Sequence, residues 1–142
     1  MIRQPYVTYI LTGRKKWELR GTATHVRGRI GLIASGSGTI LGECIVEDCI
    51  GPLEFSQLFA SPFLSTEERL ELKADHQVPY LQKDGIRSKT YAWVVTEPRL
   101  YRIPIPYRHP SGAITFVDLT KPGVVECSEA SPSRTIRQLQ LF

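Results

Sequence analysis

Cysteine and histidine are scarce in this 142-residue chain, which has three of each, and no long apolar run occurs. Cys44, Cys49 and Cys127 lack the spacing of a zinc ligand set, so we expect free thiols. The histidines are scattered and indicate no metal site, and no motif calls for a cofactor. No apolar segment approaches the ~20 residues that cross a bilayer, and the N-terminus lacks the apolar core of a signal peptide. We therefore expect a cytoplasmic protein without membrane contact.

Charge is distributed unevenly along the chain, although the net charge is only +4. Residues 1–29 contain seven lysines or arginines and one glutamate, whereas residues 40–75 contain two basic and eight acidic residues. A basic N-terminal third would attract a phosphate-bearing ligand. The alternative is an ordinary solvated surface, because the excess is modest beside that of dedicated nucleic-acid-binding proteins.

Apolar spacing and turn residues predict an α+β chain with an N-terminal helix and further helices inserted between strands. Pro5 and Gly13 bound the first helix, where apolar residues recur at helical spacing. The other predicted elements are strands at 17–20, 30–34 and 39–50, helices at 54–60 and from 65 or 66 to 74, and strands at 90–96, 100–106 and 113–119. Gly51-Pro52 is expected to end the third strand. This pattern predicts a small mixed β-barrel.

Lysine, glutamate and arginine follow the first helix at fixed spacing, as Lys15, Glu18 and Arg20. In the strand that begins there, Trp17 and Leu19 point to one face, and Glu18 and Arg20 to the other. Burial and the nearby Arg20 or Lys16 would push Lys15 toward its neutral form, in which an amine is a base or nucleophile, whereas Glu18 could oppose that shift. Arg20 presents a planar fork that binds a carbonyl oxygen, a phosphate or Glu18. The alternative is an exposed Glu18–Arg20 ion pair of little energy.

Further candidate residues lie elsewhere in the chain. Ser35, at a strand end, is a second catalytic candidate because its hydroxyl could act as a nucleophile. Tyr91 and Trp93 share one strand face and suit stacking on a nucleobase, although Trp93 also suits the core. Arg108 lies in a polar, aromatic loop at 107–110, which fits either the rim of a cleft or a plain turn.

These residues also carry a family resemblance. The run from Gln4-Pro5-Tyr6 through Gly13-x-Lys15-x-x-Glu18-x-Arg20 resembles the ASCH domain, named for its homology to activating signal cointegrator 1. Later matches in the same order lie at 27–35, 42–49 and 91–95. The resemblance covers residues 1–120. It implies a PUA-like β-barrel with a cleft for a nucleoside or RNA beside the first helix.

Two functions follow from this resemblance. Some small ASCH proteins are amidohydrolases that remove the acetyl group from N4-acetylcytidine with a lysine, a threonine and a glutamate. Lys15 matches the lysine, whereas Glu18 stands at the threonine position, so an activated water with Glu18 or Lys15 as base would replace the hydroxyl. Glu43, Glu67 and Glu68 are candidates for the separate glutamate. The Lys-x-x-Glu-x-Arg form is closer to the signal-cointegrator branch, which is associated with nucleic-acid binding and predicts a non-catalytic RNA- or DNA-binding module.

Residues 121–142 differ in composition from the domain before them and predict a flexible linker with an apolar tail. The tail resembles the bacterial sliding-clamp binding peptide, so it could tether the protein to the clamp. The residues expected to occupy the clamp pocket are Gln138, Leu139, Leu141 and Phe142. The alternative is a last strand that packs against the domain.

Overall fold

The computed structural model describes residues 1–75, 89–113, 116–119, 123–125 and 140–141, with only the backbone at 72–75 and 140–141. In chain order the elements are α1 (Tyr6–Leu11), β1 (Trp17–Arg20), β2 (Gly28–Ile33), β3 (Thr39–Leu53), α2 (Phe55–Ala60), α3 (Thr66–Asp75), β4 (Thr90–Pro106) and β5 (Gln140–Leu141). Four antiparallel strands form one sheet in the order β1-β4-β3-β2, and β5 adds to β2 in parallel. The expected α+β class, with an N-terminal helix and inserted helices, is confirmed.

The long antiparallel pair of β3 and β4 is the centre of the sheet and differs from the prediction. We expected two strands at 90–96 and 100–106, but β4 is one strand of 17 residues. The pairing shifts between Gly42↔Leu100 and Ile40↔Ile105, so extra residues of β4 bulge out of the ladder there. Pro104 lies within that bulge, where its missing N–H breaks no ladder hydrogen bond.

Gly51-Pro52 does not end β3, which continues to Leu53. Gly51 has φ 145°, and a Cβ at this position would lie 2.7 Å from the Tyr91 ring. Only glycine therefore lets the strand pass so close to β4. The strand expected at 113–119 is also wrong for residues 113 and 116–119, which belong to no strand, and residues 114–115 lie outside the described residues. The turn expected at 84–85 lies outside them as well.

Successive residues of β1 and β4 point alternately to two apolar clusters. Trp17 and Leu19 pack in one cluster with Ala92, beneath Leu58 of α2. Trp93 faces the other cluster, which includes the buried side of α1. The predicted alternation of β1 is therefore confirmed, and it leaves Glu18 on the α1 side of the sheet, paired with Trp93.

Cys44 and Cys49 are free thiols, whereas Cys127 lies outside the described residues. Among the residues with described positions, no group of three or more histidine, cysteine, aspartate or glutamate side chains could hold a metal ion. None of the helices in that part of the chain is long and apolar enough to span a membrane.

Candidate functional site

The bend between α1 and β1 places Lys15 beneath the helix. Gly13 has φ 76°, the left-handed conformation that commonly follows the end of a helix. The backbone N–H of Lys15 donates to the carbonyl of Tyr9 at 3.0 Å, and the N–H of Val95 donates to the carbonyl of Lys16 at 2.9 Å. The segment before β1 is thus held to both α1 and β4.

The ammonium group of Lys15 lies between two carboxylates. Its Nζ is 2.9 Å from Glu18 Oε2 and 2.7 Å from Glu68 Oε1. Glu68 is fixed at the start of α3 by a reciprocal cap, in which the Ser65 N–H donates to Glu68 Oε2 at 3.0 Å and the Glu68 N–H donates to Ser65 Oγ at 3.2 Å. The side chains of Lys15, Glu18 and Glu68 are only 3%, 7% and 8% exposed. These charges therefore interact with little screening by water.

Arg20 extends the cluster on the other side of Glu18. Its Nη2 lies 3.2 Å from Glu18 Oε1 and donates to the carbonyl of Met1 at 3.2 Å. The guanidinium carbon is 5.7 Å from the centre of the Trp93 ring. Lys15, Glu18 and Arg20 therefore meet in one cluster, and the alternative of an exposed Glu18–Arg20 pair is wrong because Glu18 is buried.

The surroundings of Lys15 favour its charged form. Burial lowers the pKa of Lys15, but the adjacent Glu18 and Glu68 carboxylates raise it by more, so the net shift of the pKa is upward. The expectation of a neutral lysine is therefore wrong, since it considered burial and nearby cations but missed the second carboxylate. In this arrangement Lys15 is a hydrogen-bond donor and a fixed positive charge, and it is not a base.

Tyr6 covers the lysine from α1. Lys15 Nζ lies 4.8 Å from the centre of the Tyr6 ring, and the Tyr6 hydroxyl donates to Glu71 Oε1 on α3 at 2.7 Å. This hydrogen bond, together with burial and nearby carboxylates, raises the pKa of the Tyr6 phenol. Sequence reasoning missed Tyr6 and Glu71. The sequence signal for this contact is the acidic composition at the start of α3. Its partner on α1 could not be deduced from the spacing of residues within either helix.

The three candidates for a separate glutamate lie in different environments. Glu68 contacts Lys15, as described above. Glu43 is buried elsewhere, where it binds Arg29 at 2.9 Å and accepts a hydrogen bond from Tyr101 at 2.7 Å. Glu67 is partly exposed and lies 3.6 Å from the guanidinium of Arg14. Position alone therefore selects Glu68 as the second carboxylate at this site.

Ser35 and Arg108 lie away from the cluster. Ser35 is exposed after β2, and its backbone N–H donates to the carbonyl of Ile2 at 2.8 Å. Within the described ranges, the ion-pair partners of the Lys15 ammonium are Glu18 and Glu68, and the Ser35 hydroxyl is not in contact with it. Arg108 is exposed after β4, where its backbone N–H donates to the carbonyl of Val124 at 2.7 Å. The Ser35 hydroxyl therefore has no support as a nucleophile for Lys15 chemistry.

The two aromatic candidates on β4 differ in exposure. Trp93 is 1% exposed, stacks parallel to Phe116 at 5.5 Å and donates from Nε1 to the carbonyl of Thr22 at 3.0 Å. It is a core residue and presents no open face to a base. Tyr91 is half-buried and pairs with Arg20 across the β1–β4 ladder.

A pocket of about 200 Å³ lies beside Lys15, between the end of α1 and β4. Ile10, Cys44 and Val95 form its apolar part, and Lys16 and Thr96 are among its polar lining residues. Burial raises the pKa of the Cys44 thiol to about 12, so this sulfur is protonated and unreactive at neutral pH. None of the lining residues within the described ranges is aromatic.

The family model of the ASCH domain matches residues 1–101, which include α1, the Lys15 cluster and most of β4. The chain belongs to the ASCH domain family. Two solved structures are similar to it, an ASCH protein from Zymomonas mobilis and a tyrosine-to-phenylalanine mutant of that protein. Each is 17% identical over 73% of this chain, with a TM-score of 0.48. The chain spans 66% and 68% of the lengths of those two chains, and no curated protein matches it.

Charge in this ASCH domain is largely paired internally. Four basic residues of the N-terminal third form ion pairs with acidic residues of the segment at 40–75. The pairs that join the two segments are Arg14–Glu67, Lys15–Glu68, Arg27–Asp48 and Arg29–Glu43. The expected attraction of phosphate to residues 1–29 is weakened by these pairs.

The end of the chain touches the ASCH sheet. Gln140 and Leu141 pair in parallel with Ile30 and Gly31 of β2, as the alternative interpretation of the tail expected. The other three residues of the clamp-like peptide, Gln138, Leu139 and Phe142, lie outside the described residues, as does most of 121–142. Clamp binding remains a prediction.

Proposed function

We propose that this ASCH domain is an amidohydrolase that binds a cytidine-like nucleoside beside Lys15 and hydrolyses an N4-acyl amide, of the N4-acetylcytidine type, to cytidine. The observation that carries the proposal is the buried contact of Lys15 with both Glu18 and Glu68. A site that only binds phosphate gains nothing from two carboxylates on its lysine. A site for hydrolysis needs both a donor for the acyl oxygen and a base for water.

The roles proposed for Lys15, Glu18 and Glu68 in hydrolysis follow from their charges. The Lys15 ammonium would donate to the acyl oxygen and stabilise the negative charge that develops there. Glu18 or Glu68 would take a proton from water while the water oxygen bonds to the acyl carbon. The bond from that carbon to N4 then breaks, and the proton passes to the leaving nitrogen. The products are a carboxylic acid and cytidine. Because Glu18 replaces the family threonine, this route has no covalent acyl–enzyme intermediate.

Arg20 and the pocket would position the reactants. Arg20 holds one oxygen of Glu18 at 3.2 Å, which leaves the other oxygen directed at Lys15. The pocket of about 200 Å³ is smaller than the ~300–1,000 Å³ of typical ligand sites, so it would enclose the pyrimidine and leave the ribose outside. Such a pocket accepts either a free nucleoside or a nucleotide within RNA.

The test is turnover of N4-acetylcytidine, followed by chromatography of released cytidine. We expect Lys15→Ala to lower the rate by ~10²-fold or more, the usual cost of losing an oxyanion donor. Lys89→Ala is the matched control, because Lys89 is an exposed lysine just before β4 that does not line the pocket, and this variant should keep near-parental activity. No turnover by the parent protein, or full turnover by Lys15→Ala, would remove the hydrolase proposal.

A second candidate function, RNA or DNA binding without catalysis, has its own observation. Arg99 on β4 is 67% exposed, and Arg102 and Arg108 are exposed beyond it. These arginines would contact phosphates. The affinity for single-stranded RNA should then fall as salt rises, and its log–log slope should become shallower in Arg102→Gln/Arg108→Gln. An affinity that does not change with salt would argue against this function.

A further inference from the structure

We propose that Tyr6 is a gate over the ammonium group of Lys15, closed by its hydrogen bond to Glu71, and that a ligand reaches the third N–H donor of this ammonium only when the bond breaks. The inference deepens the proposed function, on which it rests only for the identity of the ligand. Opening of the gate exposes the amine of Lys15 to solvent. The accessibility of this amine can be measured without any substrate.

The first argument is that Lys15 has no spare donor. An ammonium group has three N–H donors. One faces Glu18 at 2.9 Å, one faces Glu68 at 2.7 Å, and the Tyr6 ring lies 4.8 Å from Nζ. A ring face accepts a cation through its π electrons. An acyl oxygen can approach Lys15 only if one of these three neighbours moves away.

The second argument is that Tyr6 is the neighbour that moves most easily. Glu18 lies on β1 and is also held by Arg20, while both oxygens of Glu68 are bonded, one of them to the Ser65 N–H. Both carboxylates are buried and make charge-assisted bonds, which are stronger than a ring contact. Tyr6 is only half-buried and packs at the margin of the core cluster, so of the three neighbours its ring has the most direct route to solvent.

The third argument is that one contact fastens the ring. The Tyr6 hydroxyl on α1 donates to Glu71 Oε1 on α3 at 2.7 Å, and Glu71 is exposed. The neighbouring Tyr9 ring meets Tyr6 edge to face at 6.4 Å and limits the swing on that side. Breaking the Tyr6–Glu71 bond frees the ring while both carboxylates stay in place. The opened position leaves the third donor of Lys15 directed at the incoming ligand.

The experiment measures how fast an amine-reactive acetylating reagent labels Lys15, relative to the adjacent exposed Lys16 in the same protein. In the parent protein we expect Lys15 to react at least tenfold more slowly than Lys16. Tyr6→Phe removes the bond and Glu71→Gln weakens it, while both keep a ring over the lysine, so both should raise the Lys15 rate several-fold. Tyr6→Ala should raise it further, and Tyr9→Phe, the matched control, should leave it at the parental value.

Circular dichroism and urea unfolding identify any variant that has lost its fold, and Tyr6→Phe is the variant that keeps the most packing. If Tyr6→Phe and Glu71→Gln fold normally and Lys15 reacts as in the parent, the gate is refuted. It is also refuted if Lys15 in the parent reacts as fast as Lys16. Failure of the amidohydrolase proposal gives a different result, namely absence of turnover with the labelling pattern intact.

Discussion

Lys15, at the entry to β1, and Glu68, on α3, form a 2.7 Å ion pair although they are far apart in the sequence. The pair joins a helix inserted after β3 to the strand that carries Glu18 and Arg20. It also contributes to the raised pKa of the lysine, because Glu18 and Glu68 together oppose the effect of burial. The chemistry proposed for this ASCH domain depends on that contact.

Replacing Glu68 by glutamine should reduce both stability and activity. Glutamine keeps the size and one hydrogen bond but loses the charge, so we expect the free energy of unfolding to fall by roughly 1.5–3 kcal/mol. Urea unfolding measures this change. Glu67→Gln is the matched control on the adjacent residue, and it should leave stability nearly unchanged because the Arg14–Glu67 contact is exposed. If both variants lowered the free energy of unfolding equally, the Lys15–Glu68 pair would contribute no more to stability than the exposed Arg14–Glu67 pair.

The raised pKa of Lys15 makes a prediction for alkaline pH. A folded-state pKa above the unfolded value means that the contribution to stability is complete below the ordinary pKa of 10.5 and disappears as pH rises through the folded-state pKa. The parent should therefore exceed Lys15→Met in free energy of unfolding by a constant amount between about pH 7 and 9. The difference should shrink only above 10.5. Urea titrations at several pH values test this, and a loss that is complete by about pH 9 would mean a lowered pKa.

The two thiols of the sheet should differ in reactivity. Cys44 is fully buried and burial raises its pKa to about 12, whereas Cys49 is half-buried and accepts a hydrogen bond from the Thr24 N–H at 3.4 Å. At mildly alkaline pH, iodoacetamide should modify Cys49 well before Cys44, as followed by mass spectrometry of peptides. In urea the two rates should become similar. Early modification of Cys44 in the folded protein would contradict its burial.

Deleting residues 138–142 separates the two interpretations of the tail. As a tether, the tail should be required for binding to a bacterial sliding clamp, while the domain keeps its fold. The loss of the two residues that pair with β2 should then cost no more than about 1–2 kcal/mol, measured by urea unfolding. A domain that unfolds without the tail would identify it as a structural strand. Binding of the clamp by the truncated protein would remove the tether hypothesis.

Local patterns were sufficient for elements whose neighbours are close in sequence. The helix between Pro5 and Gly13 and the alternation of β1 were both predictable, because spacing and turn residues determine them. The continuity of β4 was not predictable, because Pro98 interrupts the strand pattern at 97–99 unless a bulge absorbs it. That bulge, between Glu43↔Arg99 and Ile45↔Thr96, depends on pairing with β3.

The same limit applies to the site. Glu18 and Arg20 share a face because of their spacing along β1, whereas Lys15 joins them through the bend that follows Gly13. From the sequence, Glu68 is only one of three candidates for the separate glutamate, because its approach to Lys15 depends on how α3 packs. The charge of Lys15 was wrongly predicted for that reason, because a pKa depends on every group that surrounds the amine.

Leu53, the last residue of β3, pairs directly with Thr90, the first residue of β4. The segment that contains α2 and α3 therefore leaves the sheet and returns to it at one paired position. The Lys15 cluster is thus assembled from two parts of the chain. The start of β1 supplies Lys15 and Glu18. The α3 helix supplies Glu68, the second carboxylate, and Glu71, which accepts the hydrogen bond from Tyr6. A change in α3 that spares the contact of Leu58 with Trp17 and Leu19 would alter the surroundings of Lys15 and leave the β3–β4 ladder intact. The environment of this lysine is therefore adjustable from a segment that takes no part in the pairing of β3 with β4.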